Sequence, residues 1–295
     1  MKMSYKDFNK KAIDNICSIF EYTHDIHYIS TCLNINYNMV LSLLISSGKY
    51  NDILGNYYCQ FDLKDKKILL LSDTHYGSAY DNINYAYDVF DFAKENNIRT
   101  IFHGGDILEG VSNNTNEILD ADNQIDYFLN KYPFDKGIKT YVVLGNHDYL
   151  VIKPKCIRYH ALNSREDINI MGFKKVFVNW DESNIGLKHN IEKYKLFLSN
   201  HGFFEDFCFK GHSHYFLIKE FEGQFHVHVP ALCNDPSYYM SNQNEIDGRL
   251  FRPGFLTAEM FDDYMIVTNY YFDNNNAIVK GSEHPLIKKY KKTSC

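Results

Sequence analysis

Four short polar clusters in this 295-residue chain combine carboxylates, imidazoles and glycines at spacings suited to metal binding. They are Ser72-Asp73-Thr74-His75, His103-Gly104-Gly105-Asp106, Gly145-Asn146-His147-Asp148 and Gly211-His212-Ser213-His214. An Asp and a His two residues apart can reach one ion together where the chain curls at a strand end. A further carboxylate can bridge two ions, an Asn carbonyl oxygen can fill a neutral position, and the other imidazoles supply nitrogen. Such nitrogen and oxygen ligands without thiolate suit divalent Mn, Fe, Zn or Ni comparably. Two neighbouring cations suit phosphoryl chemistry, because one activates water while both neutralise charge on the phosphorus oxygens. Taken singly, each cluster has an ordinary explanation as a capping pair, a glycine turn or an Asx-rich loop. Their joint occurrence in order is what indicates a site.

The elements that must position these residues are legible in the hydrophobic pattern. Lys67–Leu71 ends in a continuous apolar run, the mark of a strand covered on both faces. A helix over 83–96 with Ala86, Val89, Phe90 and Ala93 on one side follows, then a strand over 98–102. A helix over roughly 116–131 and a strand over 140–144 continue the alternation. This βαβ rhythm predicts an α/β fold of two mixed sheets layered with helices. Each cluster follows a strand, and in such sheets ligands bind at the carboxyl ends. After residue 215 the pattern predicts strands over 216–221, 224–229 and 265–272 in a second, more antiparallel layer.

The N-terminal segment reads differently. Phe8, Ala12, Ile16 and Phe20 give a helical period over 6–22. A short helix, a turn near 34–36 and a second helix with Val40, Leu43 and Leu44 inward then resemble a helix-turn-helix. Residues 53–64 fit a small hairpin, like a wing. The expected organisation is a helical module over 1–60, a catalytic domain over 61–285 and a basic tail over 286–295.

In order and type the four motifs resemble the calcineurin-like metallophosphoesterase superfamily, whose pattern is Asp-x-His, Gly-Asp, Gly-Asn-His-Asp/Glu, His and Gly-His-x-His. The resemblance covers about residues 66–275. It implies that Asp73, His75, Asp106 and His214 hold one divalent metal ion. Asp106, as a bridge, Asn146, His212 and one more histidine would hold the second. Manganese is the expected metal. The resemblance also implies that His147 gives a proton to the leaving group, while Asp148 orients His147 through its other ring nitrogen. For the remaining histidine, His201 leaves too little chain before the strand over 207–210, since a parallel crossover takes about 10–12 residues. His189 ends the return strand of a hairpin beginning over 176–180 and precedes a helix over 191–201; it is the favoured ligand, with His201 the alternative. Of the other histidines, His103 and His228 are candidates for supporting contacts.

The activity implied is that of a phosphodiesterase of the nuclease type, acting on DNA or RNA through attack of a metal-bridging hydroxide. Asp106 is followed by Ile107-Leu108-Glu109-Gly110, unlike the protein Ser/Thr phosphatases. A net charge of −6 gives no global attraction to polyanions and favours, as the alternative, nucleotides or other small phosphoesters. A third reading is a DNA-binding regulator with a non-catalytic phosphoesterase domain. The helix-turn-helix-like segment has no Lys or Arg between Lys11 and Lys49, so packing on the catalytic domain or forming a homodimer is its plainer role. Seven scattered cysteines without a Cys-x-x-Cys pair fit a reducing, cytoplasmic setting. No stretch reaches the ~20 apolar residues of a membrane span, and no membrane partner is expected.

Overall fold

The computed structural model describes residues 5–23, 26–35, 40, 43–44, 47, 58–111, 119–152, 161–162, 164–171, 175–180, 183–189, 207–221, 224–234 and 252–287. The chain divides into two compact units, Met1–Tyr58 with Ile191–Glu205 and Cys59–Asn190 with Asp206–Cys295. No helix among the described residues is long and apolar enough to cross a membrane.

In the first unit, helices α1 (Tyr5–Thr23) and α2 (Ile26–Leu33) bury Ile16, Phe20 and Ile29, together with Val40, Leu43 and Leu44. Asn34 ends α2 at φ +50°, with the Asn34 and Ile35 amides donating back to Thr31 and Ser30. This left-handed cap satisfies carbonyls the helix leaves open. Most of the second helix expected there lies outside the described residues.

The second unit is built on β2 (Lys67–Leu71), whose side chains alternate between two cores. Leu69 and Leu71 face α3 (Ile83–Glu95) and α4 (Ala121–Lys131), meeting a cluster that includes Val89, Phe90, Ile125 and Phe128. Ile68 and Leu70 face the other way, into a layer with Phe207, Phe209 and Val227. A strand buried on both faces has no polar side, which explains its apolar run.

Strands β3 (Thr100–His103), β4 (Lys139–Val142) and β5 (Ile168–Ile170) extend β2 in parallel. Across the other edge of β2 lie β11 (Gly254–Met260), β12 (Tyr264–Phe272) and β13 (Ile278–Ile287), all antiparallel, completing seven strands. The second sheet has the order β1-β6-β7-β8-β10-β9. Its members are β1 (Tyr58–Leu63), β6 (Lys175–Trp180), β7 (Ser183–Lys188), β8 (Phe207–Lys210), β9 (Leu217–Phe221) and β10 (Gln224–His228). The fold is the expected α/β sandwich of two mixed sheets with flanking helices.

The strands expected in one antiparallel layer divide between the sheets. The 217–228 hairpin joins the six-stranded sheet, whereas 264–272 joins the seven-stranded one. The cause is β11: Leu256 and Ala258 enter the inter-sheet core while Phe255 enters the helix-facing core, so the strand pairs beside β2 and draws β12 with it. Residues 58–63 form the edge strand of the six-stranded sheet, and residues 53–57 of the expected hairpin lie outside the described residues. The 191–201 helix and the tail beyond Ile287 also lie outside them.

Candidate metal centre

Five strand ends converge, three from the seven-stranded sheet and two from the other. The loops after β2 and β3 are stitched by main chain: the Asp73, His75 and Tyr76 amides donate to the Gly105, Asp106 and Ile107 carbonyls at 2.9, 3.1 and 2.8 Å. His103 fastens the same loops with its side chain. Its Nδ1 accepts from the Gly105 amide at 3.2 Å, which leaves Nε2 to donate to Thr74 Oγ1 at 3.1 Å. Burial, only partly countered by nearby Asp73, lowers the His103 ring to about 3 and keeps it neutral.

Among the described residues, eight other than glycine have positive φ, and five of them are Asp73, His75, Asp106, His212 and His214. Asp and His tolerate this region better than most residues, but concentration of such backbone at one place marks a functional site. Gly145 admits the close packing: a Cβ there would fall on Asp106 Oδ1.

Three candidate ligand groups result among the described residues; one of them, His75 with Glu109 and His147, shares His75 with the first of the two that contain the expected ligands. In the first, Asp73, His75 and His214 present atoms within 4.8 Å of one another. His214 Nε2 lies 3.3 Å from Asp73 Oδ1 and 3.4 Å from His75 Nε2. Two imidazole nitrogens aimed at one point suit a cation better than each other. Burial would raise the Asp73 carboxyl, but His214, His189 and His75 hold it far below the carboxylate range. The second group is Asp106, His189 and His212. His189 Nε2 lies 2.8 Å from Asp106 Oδ2 and 3.2 Å from Asn146 Oδ1. Burial disfavours charge on His189, yet Asp106 overcomes it and raises the ring to about 10. Asp106 in turn is held at about 2, with burial opposing and His189 the largest lowering influence. A divalent ion would take the place of that shared proton.

The outer ring nitrogens test the fit. His189 Nδ1 lies 2.6 Å from the Gly104 carbonyl, which can only accept, so the proton sits there and the Nε2 lone pair is directed inward. His75 Nδ1 lies 2.9 Å from the Glu109 carboxylate, an electrostatic contact outside hydrogen-bond geometry that also favours the proton on that nitrogen. Buried Asp106 Oδ2 has His189 Nε2 2.8 Å away as its neighbour, but outside hydrogen-bond geometry. Imidazoles held by a carbonyl or carboxylate, with an acceptor left open between them, are how proteins prepare histidine for metals. Asp73, His75 and His214 on one side and Asp106, Asn146, His189 and His212 on the other could hold divalent ions.

Asn146, His147 and Asp148 begin α5 (Asn146–Ile152). The His147 amide donates to Asp106 Oδ1 at 2.8 Å, and its Nδ1 donates to the Glu109 carbonyl at 2.7 Å. Its ring stands edge-on to His75 at 4.7 Å. Asp148 therefore does not orient the His147 ring, contrary to expectation. Its carboxylate is buried and accepts from the Leu108 and Gly145 amides at 2.9 and 2.7 Å, pinning the two loops together. Burial, then Asp106, pushes it up to about 7 against those bonds.

Sequence reasoning missed Glu109, which touches His75 through its carboxylate and His147 through its carbonyl. The available signal was a carboxylate three residues after Asp106. His201 lies outside the described residues. His228 makes the supporting contact anticipated for it, 2.6 Å to Ser213 Oγ between the two histidines of the last motif.

The sequence profile of calcineurin-like phosphoesterases matches residues 66–255, well over half the chain. The chain belongs to that family. Among solved structures, this phosphoesterase chain is similar to wild-type Vps29 of Entamoeba histolytica complexed with zinc, at 15% identity and TM-score 0.44, covering 75% of this chain and 99% of that one. It is also similar to an archaeal phosphodiesterase (17% identity, 75% and 99% covered, TM-score 0.41). GAP50, the anchor in the inner membrane complex of Plasmodium, gives 11% identity, 77% and 90% coverage and TM-score 0.49. No curated protein matches the chain.

Proposed function

We propose that this phosphoesterase is a phosphodiesterase that uses two divalent ions, manganese first among them, and cleaves nucleic acid. The observation that carries the reading is the pair of ligand groups, Asp73–His75–His214 and Asp106–His189–His212, with His147 fixed to Asp106. Bound there, two divalent cations supply positive charge for the phosphoryl oxygens and activate water.

The chain's own residues do the rest. His147 keeps Nδ1 on the Glu109 carbonyl, so Nε2 is the nitrogen that gives its proton to the departing oxygen. The amide of the same residue donates to Asp106, which ties the proton donor to the ligand shell. Asn146 and His212 are less enclosed than the other ligands and leave that side open to substrate. The N-terminal helical module supports a nucleic-acid context, and the cysteine pattern supports a cytoplasmic one.

The net charge of −6 favours a second reading, hydrolysis of nucleotides or other small phosphoesters. Hydrolysis of bis-p-nitrophenyl phosphate against p-nitrophenyl phosphate, by EDTA-stripped protein resupplied with Mn²⁺, tests the proposal. Diester turnover that disappears in Asp106→Ala is the expected result. Turnover of the monoester alone would overturn it. DNA, RNA and cyclic nucleotides then separate the two readings.

A further inference from the structure

A cavity of about 300 Å³ opens beside the last ligand motif, walled by Tyr215, Phe216, Pro230, Arg252, Asn269 and Tyr271. It is continuous in chain with the metal centre. Tyr215 and Phe216 directly follow His214. Ala231, next to Pro230, donates its amide to the His214 carbonyl at 3.4 Å and bridges to Ser72, the residue before Asp73.

Three features give this cavity a chemistry. Its walls are flat: the Arg252 guanidinium lies over the Tyr271 ring at 4.7 Å, and the Tyr215 ring stacks on His228 at 5.6 Å. Its floor is a β-bulge. The register of β12 against β13 passes from Thr268–Glu283 to Tyr270–Lys280, so Gly281 and Ser282 together oppose Asn269. Bulges re-aim side chains beside functional sites. Finally, the buried Asn269 Oδ1 has no hydrogen-bond partner. An alkyl group in the cavity would leave that oxygen unsatisfied, and the phosphate of a diester has no proton to offer it. A flat heteroaromatic ring with N–H groups on its edge answers both the walls and the floor.

We propose that this cavity receives the nucleobase next to the scissile phosphate, through stacking on the Arg252–Tyr271 wall and an edge hydrogen bond to Asn269. The inference rests on the phosphodiesterase reading and deepens it by assigning a subsite to the base.

The test compares thymidine 5′-(p-nitrophenyl) phosphate with methyl p-nitrophenyl phosphate on the full, Mn²⁺-loaded chain and on Tyr271→Ala and Arg252→Ala. Arg252 is an exposed side chain, so its variant is safe against misfolding. Stacking by one base is worth roughly a 5- to 100-fold change in affinity. The expected result is a KM for the thymidine diester raised by that factor, with its kcat and both constants for the methyl diester unchanged. Equal changes for both diesters, or none for either, would overturn the proposal. Should the wild-type chain hydrolyse neither, the phosphodiesterase reading fails, and calorimetry with thymidine monophosphate against inorganic phosphate decides the cavity separately. Nucleotide binding weakened in both variants would support it; binding no tighter than phosphate would overturn it.

Discussion

The two ligand groups hold equivalent imidazoles by different means. His75 is held by a side chain, the Glu109 carboxylate at 2.9 Å. His189 is held by main chain, the Gly104 carbonyl at 2.6 Å. A carboxylate partner makes an imidazole a stronger ligand and can be altered by a single substitution. A carbonyl partner is set by the fold, and here it belongs to a glycine whose own position admits no side chain, because a Cβ on Gly104 would lie 2.8 Å from Ser72 Oγ. One half of the centre is therefore tunable and the other is structural. Asp106 belongs to the second group by contact and is implied by the family pattern to bridge to the first.

Substitutions can break this comparison. Asp106→Ala, by removing the bridge, should abolish turnover and lower bound metal below one ion per chain by elemental analysis; two ions retained would separate Asp106 from the centre. His189→Ala should empty the carbonyl-held position alone, leaving about one ion and little turnover. If it leaves two ions, His201 becomes the ligand to examine. His147→Ala should keep both ions and cut kcat by roughly 100-fold or more, the scale of a lost general acid. Loss of metal instead would make it a ligand. Glu109→Gln has the smallest effect, weakening only one ion by roughly 10- to 100-fold. Stepwise Mn²⁺ titration followed by paramagnetic resonance should then show one site unchanged. Equal weakening of both would erase the distinction between the halves.

Much of the centre was legible because its residues follow strands whose period and apolar runs are strong local signals. His189 was favoured on the same kind of signal, the hairpin of β6 and β7 and the length a parallel crossover needs, and it lies in the candidate group with Asp106 and His212. Glu109 was not legible, since its contact with His75 arises only when the loops after β2 and β3 zip together. Asp148 was misread for a related reason. Its place beside His147 in sequence suggested a ring partner, but at the start of α5 the backbone aims its carboxylate at the Leu108 and Gly145 amides. In the fold, β11 escaped notice because it sends residues into both cores and so lacks the clean alternation of a half-buried strand.

The left-handed backbone at Asp73, His75, Asp106, His212 and His214 has a consequence for how the protein ages and evolves. Each such residue costs about 1–2 kcal/mol relative to ordinary backbone. Five together rival the whole net stability of a typical domain, about 5–15 kcal/mol. The double core around β2 must carry that load in the chain without bound ions. Divalent ions held there would offset part of that load, so drift in the core would be felt most in the chain without them.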